Sequence, residues 1–253
     1  MLRSEFELLL NRTLRPSRFK DYAPNGLQVE GKNQIKRIVT GVTANQALIE
    51  AAVAWQADAI FVHHGYFWKN EAPEIVGMKY RRISTLIKND INLYGYHLPL
   101  DAHVEFGNNA GLATALGLTS RESLQSGVPL EESIGLVGTL EKEMSLDSFQ
   151  LLVEQAVQRS VLFERVSEKP IKRVALCTGG AQGYIEQAIN VGADVYITGE
   201  VSEQTIHIAR EMGIHFVAAG HHATERFGAQ SMAKFLSEQS GLEAIFIDID
   251  NPA

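Results

Sequence analysis

The sequence predicts an α/β protein made of two similar lobes that arose by internal duplication, and three observations carry this prediction. Strand-like apolar runs alternate with helix-like segments along the whole chain. One motif of strand, tight turn, helix and second strand occurs twice. Acidic and histidine side chains follow several of the apolar runs, and in open α/β sheets ligands bind at the carboxyl ends of the strands.

The repeated motif begins at Lys36 and again at Lys172. Lys36–Val39 matches Lys172–Ala175, an offset of 136 residues, and six further pairs are identical at that offset: Gln46 and Gln182, Ile49 and Ile185, Glu50 and Glu186, Ala52 and Ala188, Ala57 and Ala193, Asp58 and Asp194. A later block matches at an offset of 124 residues, where His97 corresponds to His221 and Asp101 to Glu225. The second copy is therefore 12 residues shorter, and the extra stretch of the first copy, 66–77, is predicted to be an ordered loop.

Other local patterns complete the predicted element order. Ser4 to Glu7 and Thr43 with Gln46 have the form of capping boxes that open helices. Between the copies we expect a polar connector over 121–132, a strand over 134–140 and a helix that opens at Asp147. A last strand is predicted over 244–249. We assign residues 1–124 and 216–253 to lobe 1 and residues 125–215 to lobe 2, with a metal site in the cleft between the lobes.

Bulk composition excludes several classes of protein. The 253 residues are 45% hydrophobic and 21% charged, with a formal net charge of −7, which disfavours a surface that coats nucleic acid. A local basic patch at Lys79, Arg81 and Arg82 leaves nucleic-acid binding open as a minor alternative. The single cysteine, Cys177, lies in an apolar run and indicates a buried side chain in a reducing compartment. With no signal-peptide pattern and no membrane-spanning run, we expect a cytoplasmic protein that does not interact with membranes.

Five residues at the ends of apolar runs form the predicted metal-ligand set: His63, His64, Asp101, His221 and Glu225. Adjacent histidines on a regular strand point to opposite faces, so both can bind one site only where the strand ends, and Gly65 permits the chain to turn there. His221 and Glu225 are four residues apart and share one face at a helix start. Five ligands exceed the three of a single catalytic zinc-type ion and indicate two ions. Mixed nitrogen and oxygen ligands suit zinc, iron, manganese or cobalt.

Several neighbouring residues have roles that the sequence leaves open. His97 is a ligand, a proton shuttle or a group that orients Asp101, and we favour an acid/base or orienting role. His222 is the adjacent alternative to His221, but only His221 has both the match to His97 and the four-residue step to Glu225. Glu200, opposite His64 in the duplication, is either a partner of a ligand or a solvated strand end.

Three further features have an ordinary structural explanation beside a functional one. His103 is predicted to lie at the surface, and His207 and His215 to be structural. The glycine-rich turn over 178–183 joins a strand to a helix, where it either cradles a phosphate or makes a tight turn, and we favour the tight turn. The aromatic run over 66–68 either lines a site for a planar substrate or packs the protein.

Four blocks of this sequence resemble the signature of the Nif-three-like family: Phe61–Gly65, His97–Asp101, Thr198–Glu200 and Gly220–Glu225. Members of that family are often named GTP cyclohydrolase 1 type 2 homologues. The resemblance covers essentially the whole chain and is strongest to the compact, enterobacterial type. It implies two interlinked α/β lobes, a two-metal site on His63, His64, Asp101, His221 and Glu225, and a ring-shaped homohexamer, or toroid. The presence of His222 after His221 departs from the common form of the block.

Two functional hypotheses follow from the residues and the resemblance. The leading one is a dinuclear-metal-dependent hydrolase that acts on a nucleotide-like or heterocyclic small molecule through metal-activated water, with His97 as the catalytic residue. The alternative is a metal-binding scaffold or regulatory protein without catalysis. The sequence defines neither a guanine pocket nor a substrate, and a family name does not settle either.

Overall fold

The computed structural model describes residues 1–239 and 241–253 and divides the chain into two units, each with its own sheet. Unit 1 comprises Met1–Leu100 and Gly228–Asp250, and unit 2 comprises Asp101–Phe227 and Asn251–Ala253. The predicted mixed α/β class with two similar lobes is confirmed. Among the helices described, none is long and apolar enough to cross a lipid bilayer.

The division falls at different residues from those predicted for lobes 1–124 with 216–253 and 125–215. Residues 101–124 and 216–227 belong to unit 2. One reason is that the strand His215–Ala218 pairs along its whole length with Val195–Thr198. Another is that Leu112 and Ala113 are buried in the same hydrophobic core as Val174. Hydrogen bonding and core packing therefore set the boundary, and neither is visible in the spacing of the sequence blocks.

Unit 1 contains a five-stranded sheet with the order β1-β4-β3-β2-β11. Its elements are α1 (Arg3–Leu14), β1 (Gly26–Val29), β2 (Arg37–Thr43), α2 (Gln46–Ala54), β3 (Ala59–His64), α3 (Gly77–Lys88), β4 (Asn92–Gly95) and β11 (Glu243–Phe246). Strands β4, β3, β2 and β11 are parallel, and β1 is antiparallel to β4. Strands β3 and β4 are almost entirely buried, as expected for parallel strands covered on both faces.

Unit 2 contains a six-stranded sheet with the order β5-β6-β8-β9-β10-β7. Its elements are α5 (Asn108–Ala115), β5 (Thr119–Ser123), β6 (Leu136–Met144), α6 (Leu146–Val157), β7 (Leu162–Glu164), β8 (Ile171–Leu176), α7 (Ile185–Asn190), β9 (Val195–Thr198), α8 (Glu203–Met212), β10 (His215–Ala218) and α9 (His221–Thr224). Strands β8, β9 and β10 are parallel, and the other pairings are antiparallel. Helices α4 (Leu98–Ala102) and α10 (Arg226–Ser237) run across the unit boundaries, and short 3₁₀ turns occur at Pro16–Arg18, Leu130–Glu132 and Gln182–Tyr184.

The duplication is visible in the hydrogen bonds that fix the start of each central strand. Ile38 pairs with Ala59 in unit 1, and the residues 136 positions later, Val174 and Val195, pair in unit 2. Asp58 Oδ2 accepts bonds of 3.0 Å from the backbone N–H groups of Lys36 and Arg37. Asp194 Oδ2 accepts the matching bonds from Lys172 and Arg173 at 2.9 and 2.8 Å. The identical Ala-Asp pairs of the two copies therefore have one physical role.

Local differences from the predicted elements have identifiable causes. The cap of α2 is Asn45, which accepts a bond from the backbone N–H of Leu48, while Gln46 is the first helical residue. Part of the expected connector is strand β5, because Glu122 and Ser123 pair with β6 although their side chains are polar. The N-terminal helix begins at Arg3, where the Glu5 carboxylate accepts a bond from the Leu2 N–H. The predicted loop lies between β3 and α3.

Removing either repeated aspartate should destabilise the protein because two backbone donors lose their acceptor. We expect Asp58→Ala and Asp194→Ala each to lower the free energy of unfolding by about 1–3 kcal/mol. The control Asp250→Ala, at an exposed position, should change it by no more than about 0.5 kcal/mol. Urea unfolding monitored by circular dichroism measures all three. Equal stability of the Asp58 and Asp250 variants would contradict the assigned role.

The loss of stability expected on removing Asp58 or Asp194 should depend on pH, and the pKa shifts of the two carboxyl groups give its direction. Burial acts to raise the pKa of each, but the backbone bonds and the ion pairs with Lys32 and Lys169 outweigh it and lower both below the ordinary value of 3.8. A carboxyl group whose pKa is lowered on folding stabilises the protein above its unfolded pKa and loses that effect as the pH falls. The deficit of the variants should therefore be complete at neutral pH and shrink as the pH falls below about 4.

Candidate metal centre

Three histidines come together in unit 1 at the ends of β3 and β4. His63 and His64 are the last residues of β3, and His97 precedes α4. The ring centroid of His63 lies 4.4 Å from that of His64 and 5.1 Å from that of His97, and one ring nitrogen of each lies within 4.8 Å of the others. His63 is 1% exposed and His97 is 6% exposed. Three imidazoles grouped in this way can bind one divalent ion.

The chain turns directly after the adjacent histidines, as the glycine at position 65 predicts. A Cβ atom on Gly65 would collide with the side chain of Gln28. That side chain accepts a bond of 2.7 Å from the Tyr66 N–H and donates one of 2.8 Å to the Pro24 carbonyl. The close approach of Gln28, rather than a left-handed backbone, is what requires glycine here.

Each of these imidazoles is held through Nδ1. His63 Nδ1 lies 3.2 Å from the Tyr96 carbonyl oxygen, which can only accept, so this nitrogen carries the proton. His64 Nδ1 lies 3.2 Å from Thr43 Oγ1. His97 Nδ1 lies 2.9 Å from Asp21 Oδ1. Metal-binding histidines characteristically use one nitrogen for such a partner and the other for the ion, so Nε2 of His63 and of His64 is the atom that could bind an ion.

A second group in unit 2 combines carboxylates with an imidazole. His221 Nε2 lies 3.2 Å from Glu225 Oε2, and carboxylate oxygens of Asp101 and Glu225 lie within 4.8 Å of each other. Glu225 is 3% exposed and Asp101 is 7% exposed. Two buried carboxylates this close repel each other when both are ionised, and a bound cation relieves that repulsion. The donor set therefore fits a borderline divalent metal ion.

Neighbouring side chains orient this second group. His221 Nδ1 lies 2.7 Å from Glu200 Oε1. Asp101 Oδ1 accepts a bond of 2.9 Å from Asn108 Nδ2 and one of 3.4 Å from Thr178 Oγ1. The bond to Glu225 chiefly raises the pKa of His221 to about 9, since the contribution of Glu200 adds to it and burial only partly opposes it. Of the two alternatives for Glu200, the distance to His221 favours the partner of a candidate ligand.

The glycine-rich turn over 178–183 supplies space for these acids. Gly179 has a φ of +72°, and a Cβ atom there would collide with Glu225 Oε1 and lie 3.3 Å from His221 Nε2. A Cβ atom on Gly180 would lie 3.3 Å from the Glu200 carboxyl group. Farther along the chain, a Cβ atom on Gly199 would lie 2.6 Å from the Cα of His221. The glycines allow the backbone to pass close beneath the carboxylates, which accords with the tight-turn interpretation.

The other histidines make local contacts. His103 Nδ1 accepts bonds from the N–H groups of Glu105 and Phe106, and its ring stacks on Phe106. His215 is 1% exposed and accepts a bond from the Val166 N–H. His207 is exposed on α8, with Nε2 3.9 Å from Glu203. The backbone N–H of His222 bonds to the carbonyl oxygen of Ala253.

The three aromatic residues over 66–68, beside the histidine pair, have different surroundings. Tyr66 is buried and donates a bond of 2.7 Å to the Ala44 carbonyl. Phe67 is exposed, with Lys79 Nζ over its ring. Trp68 contacts the site histidines, with its ring centroid 5.0 Å from that of His97 and 5.7 Å from that of His64. Tyr22, which the sequence did not indicate, also lies 5.0 Å from His97.

Several orienting residues were missed at the level of sequence. Asp21 and Thr43 hold unit 1 histidines, and Asn108 and Thr178 hold Asp101. The doubled asparagine at 108–109, buried at the start of α5, is a signal that could have indicated a polar network. Asp21 lies in an irregular loop 76 residues before His97, and nothing in its surroundings sets it apart.

A family model, named proteins and solved structures each match nearly the whole chain. A model of the Duf34/NIF3 family, NGG1p interacting factor 3, matches residues 1–252. A Pasteurella multocida protein named GTP cyclohydrolase 1 type 2 homolog is 56% identical over 250 residues, which is 98% of each chain. The solved structure of a protein named ybgI, of unknown function, has a TM-score of 0.94 and 50% identity over 100% of both chains. A solved structure from Thermus thermophilus has a TM-score of 0.90 and 34% identity, again over 100% of both chains.

The two glycines at the ends of the glycine-rich turn should respond differently to the same substitution. Gly179→Ala should lower the free energy of unfolding by about 2 kcal/mol or more, since it adds a Cβ atom at a left-handed position and against Glu225. Gly183→Ala, where a Cβ atom meets nothing within 4 Å, should change it by no more than about 0.5 kcal/mol. Urea unfolding of both variants is the measurement. Similar effects at the two positions would show that Glu225 does not constrain the turn.

Proposed function

The chain belongs to the Duf34/NIF3 family, and from that premise we propose that it is a dinuclear-metal-dependent hydrolase of the cytoplasm. Its proposed ligands are His63, His64, Asp101, His221 and Glu225. The observation that carries the proposal is the way the histidines are held: each uses Nδ1 for a carbonyl, hydroxyl or carboxylate partner, so that Nε2 is the atom that can bind an ion.

Two ions account for the ligand set better than one. Unit 1 supplies imidazole nitrogens, and unit 2 supplies two carboxylates and one imidazole. Five side chains exceed the three protein ligands of a typical catalytic zinc ion, and carboxylates can bridge a pair. A bound pair of zinc, iron, manganese or cobalt ions lowers the pKa of water, which supplies the chemistry of hydrolysis near neutral pH.

His97 is the proposed catalytic residue. Its ring stands beside His63 and His64 while its Nδ1 is held by Asp21, so Nε2 can give or take a proton at a reacting atom. The rings of Trp68 and Tyr22 contact His97 and present aromatic surface beside it. Relatives carry the name GTP cyclohydrolase 1 type 2 homolog. Together these points favour a nucleotide-like or heterocyclic small molecule as the substrate.

Elemental analysis of protein purified without chelators tests the metal site. We expect close to two equivalents of a divalent transition metal per chain in the unaltered protein. Asp101→Ala and the double variant His63→Ala/His64→Ala should both lose metal and keep the fold by circular dichroism, because each removes proposed ligands and no part of either hydrophobic core. His207→Ala, which removes an exposed histidine on α8, is the matched control and should keep both equivalents.

Two outcomes would contradict the proposal. Metal content near zero in the unaltered protein would remove the dinuclear site. Loss of the fold when metal is withdrawn would instead favour the alternative, a metal-binding scaffold or regulatory protein, since structural sites are closed and their metal contributes to folding. A catalytic site keeps an open coordination position and exchanges its metal without unfolding. Dialysis against a chelator, followed by thermal unfolding, distinguishes the two.

We also propose that the chain assembles into a homohexamer, as the family resemblance implies. Sedimentation equilibrium should then give a mass six times that of the single chain. The mass should be independent of protein concentration in the micromolar range if the assembly is stable. A mass equal to one or two chains would contradict the hexamer and would leave the metal analysis unaffected.

A further inference from the structure

One loop aspartate is surrounded entirely by hydrogen-bond donors. Asp21 lies between α1 and β1, and its side chain is 3% exposed. Its two oxygens have five partners: the backbone N–H groups of Tyr22 (2.7 Å), Ala23 (3.1 Å) and Leu98 (3.0 Å), Asn25 Nδ2 (3.0 Å) and His97 Nδ1 (2.9 Å). Backbone N–H groups can only donate, so an acid that carried a proton would place a donor against them.

This environment fixes Asp21 as a carboxylate. Burial acts to raise its pKa, but the bonds from His97 and Asn25 outweigh burial and lower the pKa to about 2. The nitrogen of His97 that faces an ionised carboxylate must carry a proton. Because a neutral imidazole has one N–H group, the other nitrogen, Nε2, then carries the lone pair. The carboxylate therefore selects one of the two tautomers of His97.

The same loop also fixes the position of the ring. Asn25 Oδ1 accepts a bond of 2.8 Å from the His97 N–H, and Asp21 Oδ2 accepts the bond from the next residue, Leu98. The rings of Tyr22 and Trp68 meet the imidazole nearly edge-on, at interplanar angles of 69° and 77°. The backbone N–H, the Nδ1 atom and the ring edges of His97 are therefore all held by residues that are not candidate metal ligands.

We propose that Asp21 is a positioning residue that holds His97 in the Nδ1–H tautomer, so that Nε2 can act as the proton acceptor of the site. The inference rests on the proposed function only in giving His97 a proton to transfer. An aspartate that fixes the tautomer and orientation of a catalytic imidazole is an established device in enzymes. Asp21 itself contacts no reacting atom in this assignment.

Solid-state ¹⁵N NMR of histidine-labelled protein tests the proposal directly. The sample is treated with chelator, spectra are recorded at increasing pH until the imidazole signals no longer change, and the His97 signals are those lost in His97→Gln. We expect a protonated Nδ1 and an unprotonated Nε2 in the unaltered protein. In Asp21→Asn the side-chain amide places an N–H donor against one of the groups that donate to Asp21. The Nδ1–H tautomer of His97 should therefore no longer be the single form, and a tautomer with Nε2–H should appear.

The matched control is Asp58→Asn in the same unit. Asp58 is also a largely buried carboxylate that accepts two backbone bonds, and its bonds to Lys32, Lys36 and Arg37 involve no histidine. This control should leave the His97 signals unchanged. Equal changes in the two variants, or no change in Asp21→Asn, would overturn the proposal.

The unaltered protein decides the matter even if Asp21→Asn does not fold. An Nε2–H form of His97 in its spectrum would overturn the proposal by itself. Because the sample contains no metal, the result does not depend on the proposed ion pair. Absence of metal in the elemental analysis would contradict the proposed function and leave the tautomer assignment standing.

Discussion

A carboxylate buried in a protein is costly unless donors surround it, and in this chain Asp58 and Asp194 meet that requirement with backbone N–H groups. Each aspartate at the start of one parallel strand accepts bonds from the start of its neighbour. The bonds set the register of β2 against β3 and of β8 against β9. This register fixes the positions of the later residues in those strands, including the polar residues that follow the last apolar position.

Hydrogen bonds also hold the side chains of the candidate sites at the strand ends. In unit 1 a carbonyl, a hydroxyl and a carboxylate hold the three imidazoles through Nδ1. In unit 2 side-chain donors hold Asp101, and Glu200 holds His221. Preorganisation of this kind is what metal ligands need, since a ligand that must be ordered on binding loses affinity to conformational entropy.

Sequence reasoning reached the candidate ligands because they stand beside strong local patterns. His63 and His64 end a continuous apolar run, and the step from His221 to Glu225 matches a helical turn. The residues that orient them follow no period: Asp21, Thr43 and Asn108 reach their partners through the fold, from positions 7 to 76 residues away. The unit boundaries differ from the predicted lobe boundaries for a related reason. Strand pairing and core burial join segments that the sequence repeat alone assigns to different lobes.

The match between His64 and Glu200 means that the two halves of this chain have diverged in chemistry while keeping one scaffold. The first copy offers three imidazoles and the carboxylate of Asp101, and the second offers the imidazole of His221 with the carboxylates of Glu200 and Glu225. The halves are therefore no longer interchangeable. A chain with two first copies would have no counterpart of Glu200, and a chain with two second copies would lack the pair His63 and His64, so neither would reproduce the candidate ligand set.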